Sequence, residues 1–313
     1  MVYELSTDAP VLVIGSAGVD VVGRLDGDLK AGASSPAKIR FSFGGVARNV
    51  AENLARLDHD VSLITAVGGG YFGDQVLKQL DDTGVECALS IRTSEPTGSY
   101  IAVVSEGEKQ FALDDMRAIY SLEPAYLRDN YQVFKDSSIL FIDANLPKPV
   151  LKTVFSLAKR ARLPVVADPT TVSLANRLED YLPQLFMVTP NSIEASVFCE
   201  KVFDDCDQRQ AIEAAKNLVS NGVEIAIITL SEFGVCYATS DTSGSIPAIN
   251  TDIIDPTGAG DALTATVMSA LLNEIPLDDA IRLGVSAASL TLRHNGAVVP
   301  DLSLEKLYRH LVI

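Results

Sequence analysis

The sequence predicts an α/β fold: a mostly parallel central sheet with helices on both faces and a small accessory sheet beside it. Three observations predict it. Short β-branched runs alternate with amphipathic runs along nearly the whole chain, the pattern of strand–helix–strand units. The strand-like runs are apolar throughout rather than alternating, as expected of strands covered on both faces. Two segments, 20–43 and 98–115, break the rhythm with β-forming sequence and no good helix.

In chain order, Val11–Ile14 is the first expected strand and Arg48–Leu57 the first helix. Val61–Val67 is a strand, Phe72–Thr83 a helix, and Glu86–Ile91 a further strand-like run. Ile139–Ile142, Val165–Ala167, Phe186–Val188 and Ile225–Thr229 read as buried strands. Val150–Arg160, Arg209–Ser220, Ala262–Leu272, Asp278–Leu292 and Leu304–Leu311 read as helices. Ser99–Val104 and Gln110–Ala112 alternate like exposed antiparallel strands about a turn at Glu106-Gly107-Glu108. A small sheet standing off the main one needs a surface to cover its apolar face, so a lid or a homodimer contact is expected there. No repeat or long linker divides the 313 residues, which read as one domain, 1–313, with lid excursions near 20–43 and 98–115.

Composition narrows the function classes. The chain carries 25 basic and 41 acidic side chains, a net charge of −16. That disfavours nucleic acid and anionic membrane as partners, since both need basic surface. A phosphorylated ligand needs only a local electropositive pocket. The N-terminus lacks the basic start and cleavage site of a signal peptide, and no run is apolar enough to span a bilayer. Cys87, Cys199, Cys206 and Cys236 fall at no zinc-like spacing and read as reduced thiols of a cytoplasmic protein. His59, His294 and His310 are scattered, with no metal-ligand cluster and no nucleophile elbow.

The chemistry concentrates at strand ends and helix starts. Asp255-Pro256-Thr257-Gly258-Ala259-Gly260-Asp261 leads into a long apolar helix. Two glycines let backbone approach a ligand, and the first-turn N–H groups make an anion site. An acid at a helix start is ordinarily just favoured by the dipole. Between these glycines, Asp261 reads instead as a general base that takes a proton from an acceptor hydroxyl. The amides of Gly258, Ala259 and Gly260 would stabilise charge on the transferring phosphoryl group. Gly44-Gly45 opens another helix, with Asn49 in its first turn; as an isolated motif this is equally a tight turn with a polar helix start. In the functional reading, Gly44, Gly45 and Asn49 hold polyol hydroxyls. Asp20, just past the first strand, can accept two more, since open α/β sheets bind ligands at strand C-terminal ends.

Three more strand ends carry polar signals. Asn191 and Glu194 follow one strand, where an Asx-type turn explains them structurally and an acid can also orient a hydrated Mg²⁺. Asp168-Pro169 ends another, and Thr229 to Gly234 ends a third. Gly68-Gly69-Gly70-Tyr71-Phe72-Gly73 fits the dinucleotide fingerprint, but no acid ends the next strand-like run to hold a ribose, and close helix–strand packing explains the glycines. No Gly-Lys-Ser/Thr of a Walker loop occurs.

In this order, Gly44-Gly45 with Asn49, Asn191 with Glu194, and Asp255 through Asp261 resemble the ribokinase-like, or PfkB, family of carbohydrate kinases, over nearly the whole chain. The resemblance implies a three-layer α/β sandwich with a β-lid, and ATP- and Mg²⁺-dependent phosphorylation of a primary hydroxyl. It implies Asp261 as catalytic base, Gly258 to Gly260 as anion hole, and Asp20, Gly45 and Asn49 as sugar ligands. Asn191 and Glu194 would organise Mg²⁺ and phosphate, Glu194 through water. Thr229, Ser231 and Gly234 would form the nucleotide loop, and the helix from Ser286 to Gly296 would flank adenine. Asp255 falls at a monovalent-cation position, so K⁺ is implied there; Gly70 stands where many relatives carry an acid. Ser35 to Phe41, Gly98-Ser99-Tyr100 and Asp114-Asp115-Met116 look like the pseudouridine kinase subgroup. That implies a nucleoside phosphorylated on its 5′-hydroxyl, with Lys38, Ser99 and Asp115 near the base. The alternatives are a ribokinase or another sugar or nucleoside kinase, a nicotinamide-dependent oxidoreductase using Gly68–Gly73, and a catalytically silent sugar-binding protein.

Overall fold

The computed structural model describes residues 9–27, 29, 32–105, 108–199 and 206–311. Glu106 and Gly107 of the expected turn, and the N-terminal opening before Ala9, lie outside the described residues. The strands are β1 (Val11–Ile14), β2 (Gly18–Leu25), β3 (Ala37–Gly44), β4 (Val61–Ile64), β5 (Ala66–Gly68), β6 (Val85–Glu86), β7 (Ile91–Thr93) and β8 (Gly98–Ser105). They continue with β9 (Glu108–Asp115), β10 (Ile139–Asp143), β11 (Val165–Asp168), β12 (Met187–Val188), β13 (Ile225–Thr229), β14 (Val235–Ala238) and β15 (Ser243–Ile246). The helices are α1 (Val46–Arg56), α2 (Tyr71–Asp82), α3 (Pro124–Asp129), α4 (Tyr131–Asp136), α5 (Lys148–Ala161) and α6 (Val172–Ala175). After them come α7 (Ser192–Cys199), α8 (Gln208–Ser220), α9 (Ala259–Leu272), α10 (Leu277–Leu292) and α11 (Leu304–Leu311).

The main sheet has the order β15-β14-β13-β12-β11-β10-β1-β4-β6 and is parallel except for β14 and β15. Successive side chains on a strand face opposite sides. Val11 and Val13 therefore join the core layer under α1, α2, α9, α10 and α11, while Leu12 and Ile14 join the layer under α5, α7 and α8. Each fully buried Leu, Ile or Phe contributes about 1.5–3 kcal/mol over its exposed state. From β1 the chain crosses to β4 on one side and later returns to β10 on the other. The connections diverge at the C-terminal ends of β1 and β10 and leave a crevice there.

A second, smaller sheet has the order β3-β2-β8-β9 and is the accessory sheet expected to act as a lid. β2 is antiparallel to β3 and parallel to β8, and β8 is antiparallel to β9. One row across the lid is Ser42, Asp20, Tyr100 and Asp114; the next is Phe43, Val19, Ser99 and Asp115. Adjacent rows point to opposite faces of the sheet.

Several elements differ from expectation. The run Val61–Val67 breaks at Thr65, whose carbonyl accepts from Ile91 N at 2.8 Å, and β5 leaves the main sheet to pair with β7. Glu86–Ile91 is not one strand but a turn between β6 and β7, closed by Ser90 N to Cys87 O at 2.8 Å. The hairpin β14–β15 and the helices α3 and α4 were not expected. The hairpin strands have four residues each and the helices six, too short to show a period. No helix among the described residues is long and apolar enough to cross a membrane, and no disulfide joins the cysteines.

Candidate active site

Asp261 lies in the first turn of α9, a helix buried along almost its whole length. Gly258 caps it in the left-handed region at φ 80°. A Cβ at Gly258 would fall 2.2 Å from Ala297 O, so conformation and close approach both require glycine. The N–H groups that follow have no carbonyl within the helix to bond, and the helix dipole favours an anion against them. Thr264 Oγ1 sits 2.9 Å from Thr189 Oγ1 and 3.0 Å from Gly260 O, which ties this turn to the end of β12.

Asn49 is delivered by the first turn of α1. Its Nδ2 donates to Asp261 Oδ2 at 2.7 Å, and its Oδ1 accepts from Arg48 Nη1 at 2.9 Å. The buried Arg48 is itself held by Glu52 and by Gln79 Oε1. Asp143, at the end of β10, fixes the start of α1 from below. Its Oδ2 accepts from Ser16 N at 2.7 Å, Ser16 Oγ at 2.6 Å and Ala47 N at 3.1 Å. Burial still holds the Asp143 carboxyl above its usual range against these hydrogen bonds. Asp143 was not foreseen as a site residue; its signal was an acid closing an otherwise apolar strand.

Asp20 projects from β2 against Gly44, where a Cβ would lie 2.2 Å from its Oδ1. It is 5% exposed, and burial, with the nearby Asp255, pushes its carboxyl up to about 6 against the pull of Arg48 and Arg40. Asp261 is pushed up to about 7, chiefly by burial and further by the charges of Asp143 and Asp20; Asn49 and Arg48 oppose the rise. Asp20, Asn49 and Asp261 thus share one acidic, enclosed corner of the crevice, with the start of α9 as its floor.

Next to that floor is a cavity of 480 Å³, within the size range of small-molecule sites. Ala259 and Gly260 close one end, Val235, Ile249, Leu263, Val285 and Leu292 supply apolar wall, and Thr229, Ser231, Asn250 and Thr251 supply polar groups. Gly234 also lines it. Ser286 does not: its hydroxyl donates to Leu307 O at 3.0 Å, and its neighbours Val285, Ala288 and Ser289 face the cavity instead.

Asn191 and Glu194 form a reciprocal cap on α7. Asn191 N donates to Glu194 Oε2 at 3.0 Å, and Glu194 N donates to Asn191 Oδ1 at 2.9 Å. Burial raises the Glu194 carboxyl. Asp168, at the end of β11, rises well above the usual range through burial and the charges of Glu194 and Asp261. Two carboxylates that repel one another, with no basic partner among the described residues, suit a hydrated divalent cation. No group of three metal-ligating side chains occurs among the described residues.

Asp255 does not offer a cation site. Its Oδ1 accepts from Thr257 N at 3.1 Å, and its Oδ2 is paired with the Arg40 guanidinium from β3. Burial opposes its charge, and the bonds from Thr257 and Arg40 outweigh burial and hold its carboxyl below the usual range. The Arg40 guanidinium already supplies positive charge at Oδ2, where a K⁺ ion would have to compete with it, so the residues present do not favour one.

The lid residues separate by face. Asp20, Ser42, Tyr100 and Asp114 share a row, whereas Ser99 and Asp115 sit in the row of Val19 on the other face. Ser99 Oγ bonds Thr97 O at 3.1 Å, and Asp115 is paired with Arg117. Lys38 is exposed, four residues along β3 from Ser42, or about 13 Å of strand. The structure therefore does not bring Lys38, Ser99 and Asp115 to Asp20. Ser42, Tyr100 and Asp114 are the neighbours that sequence reasoning missed, two of them one residue away from the positions chosen. In the Gly68–Gly73 segment, Gly73 packs on Gly68, where a Cβ would meet Gly68 O at 2.0 Å, which accounts for both glycines by packing.

Comparisons with known proteins show what the chain is similar to. The pfkB family carbohydrate kinase profile matches residues 8–303. The chain is 30% identical over 299 residues to the pseudouridine kinase of Escherichia coli (strain K12), covering 94% of each. It is 28% identical to the guanosine-inosine kinase of Exiguobacterium acetylicum, over 93% of this chain and 97% of that one. The structure of Arabidopsis thaliana ribokinase complexed with ribose and ATP superposes with a TM-score of 0.84 at 22% identity, covering 97% and 99%. That match shows the ribokinase-like fold, and what stands against the nicotinamide reading of Gly68–Gly73 is the carbohydrate kinase profile. With the profile matching residues 8–303 and a 30% identical relative covered over 94% of both chains, the chain belongs to the pfkB family of carbohydrate kinases, ATP-using phosphotransferases that act on hydroxyl groups.

Proposed function

We propose that this kinase transfers the terminal phosphoryl group of ATP to the 5′-hydroxyl of pseudouridine, giving pseudouridine 5′-phosphate and ADP. The observation that carries the chemistry is the 2.7 Å hydrogen bond from Asn49 to Asp261 at the mouth of the α9 anion site. The 5′-oxygen attacks the terminal phosphorus while Asp261 takes its proton, and the bond from that phosphorus to the ADP oxygen breaks. A carboxyl near 7 is matched to general-base work close to neutral pH. The amides of Gly258, Ala259 and Gly260 stabilise charge on the transferring oxygens. Asp20 and Asn49 orient the ribose hydroxyls, and the lid excludes water as a competing acceptor. The nucleotide occupies the 480 Å³ cavity, with its phosphates toward Gly260. Asp168 and Glu194 would hold Mg²⁺ through its waters, and when bound it supplies positive charge to the phosphates.

For the acceptor, the support is the likeness to the Escherichia coli pseudouridine kinase and the row Ser42, Tyr100 and Asp114 beside Asp20. An aromatic ring with a hydroxyl and a carboxylate on either side can cover a uracil and bond its edge; a free sugar has no base to use them. The likeness to a guanosine-inosine kinase favours purine nucleosides as the second reading. The opposite lid face exposes Ile39, Phe41, Ile101 and Leu113, which supports a homodimer through the lid. The test of the acceptor is a panel of pseudouridine, uridine, inosine, guanosine and ribose, scored by ADP release from purified protein. Pseudouridine should give the highest kcat/KM. A preference for ribose or a purine nucleoside removes the assignment.

A further inference from the structure

Two arginines of the lid bond the body beside the anion site. Arg24 on β2 and Arg40 on β3 lie on the lid face that carries Asp20. Arg24 Nη2 donates to Ile254 O at 2.6 Å. Arg40 Nη1 donates to Asn295 Oδ1 at 3.2 Å, and its Nη2 pairs with Asp255 Oδ2. Asp255 is 2% exposed and precedes Thr257 and Gly258, where the anion site begins. Its negative charge, left alone, would oppose the phosphates that the start of α9 must hold. The countercharge comes from Arg40, a residue of the lid.

We propose that Arg40 takes the place of a monovalent cation at Asp255, so that neutralisation of charge beside the anion site is supplied by the seated lid. Arg40 is then a positioning residue: it acts on the phosphoryl group through Asp255 and the 254–257 segment. A lid that lifts carries the countercharge away, and a lid that seats returns it. Phosphoryl transfer is thereby coupled to closure without a metal in that position. The inference rests on the phosphotransferase activity and not on the identity of the acceptor.

The test compares wild type, Arg40→Gln and the double variant Arg40→Gln/Asp255→Asn in KCl and in tetramethylammonium chloride at equal ionic strength. Wild-type turnover should differ less than about twofold between the salts, since its cation position is already filled. Arg40→Gln should lose at least about tenfold in kcat in tetramethylammonium chloride, and should regain much of it with K⁺ or with Asp255→Asn. A merely structural loss would respond to neither. Melting temperature without acceptor gives a second reading: KCl should raise it for Arg40→Gln and leave wild type unchanged. That arm works whichever acceptor is correct. Activation of wild type by K⁺ about tenfold or more, an Arg40→Gln variant with wild-type turnover, or a loss that neither K⁺ nor Asp255→Asn repairs would each overturn the proposal.

Discussion

Asn49 and Asp261 meet from two helix starts, and their contact decides how the candidate base titrates. Burial raises Asp261 and the Asn49 amide lowers it, because the amide bonds the charged form. The base works as carboxylate, so kcat/KM should rise about tenfold per pH unit below the inflection near 7 and level off above it. Asn49→Ala removes the amide and should move that inflection to higher pH in a profile recorded from pH 5 to 9. A lower or unchanged inflection would mean that the bond does not govern the base. Asp261 and Asn49 were legible in the sequence because glycines flank both. Asp143 was not, since its partners Ser16 and Ala47 are brought to it only by the pairing of β1 with β10.

At the scale of the element, the lid shows what a sequence can and cannot give. The alternation of β8 and β9 was readable, and so was their place outside the main sheet. Which residues share a row with Asp20 was not, since that depends on register, and a shift of one residue exchanges the two faces. Tyr100→Ala should therefore raise KM for the acceptor at least about tenfold with KM for ATP little changed, whereas Ser99→Ala, one residue away, should leave both near wild type. Equal effects from the two would place the acceptor elsewhere. The long apolar strands and helices were found because burial on both faces leaves a strong pattern. The hairpin β14–β15 lines the 480 Å³ cavity through Val235, yet its four-residue strands leave almost none.

For the molecule as a whole, the site works against stability. Asp20 and Asp261 hold protons in the folded state at pH values where the unfolded chain has released them. Such groups stabilise the fold at low pH, and the contribution fades as pH rises from about 4 to about 7. Asp261→Asn removes one of these buried charges. Its melting temperature should exceed that of wild type at pH 8, and the difference should shrink toward pH 4. A variant less stable than wild type at pH 8 would contradict the assigned direction.

The most direct test of the central claim is steady-state turnover of Asp261→Asn at pH 8, measured by ADP release with the preferred acceptor, beside ATP affinity by calorimetry. Turnover should fall by about 10² to 10⁴ while ATP affinity stays within about threefold of wild type, because the variant keeps the anion site and loses the base. Turnover within about tenfold of wild type would show that the proton leaves by another route and that Asp261 is not the base.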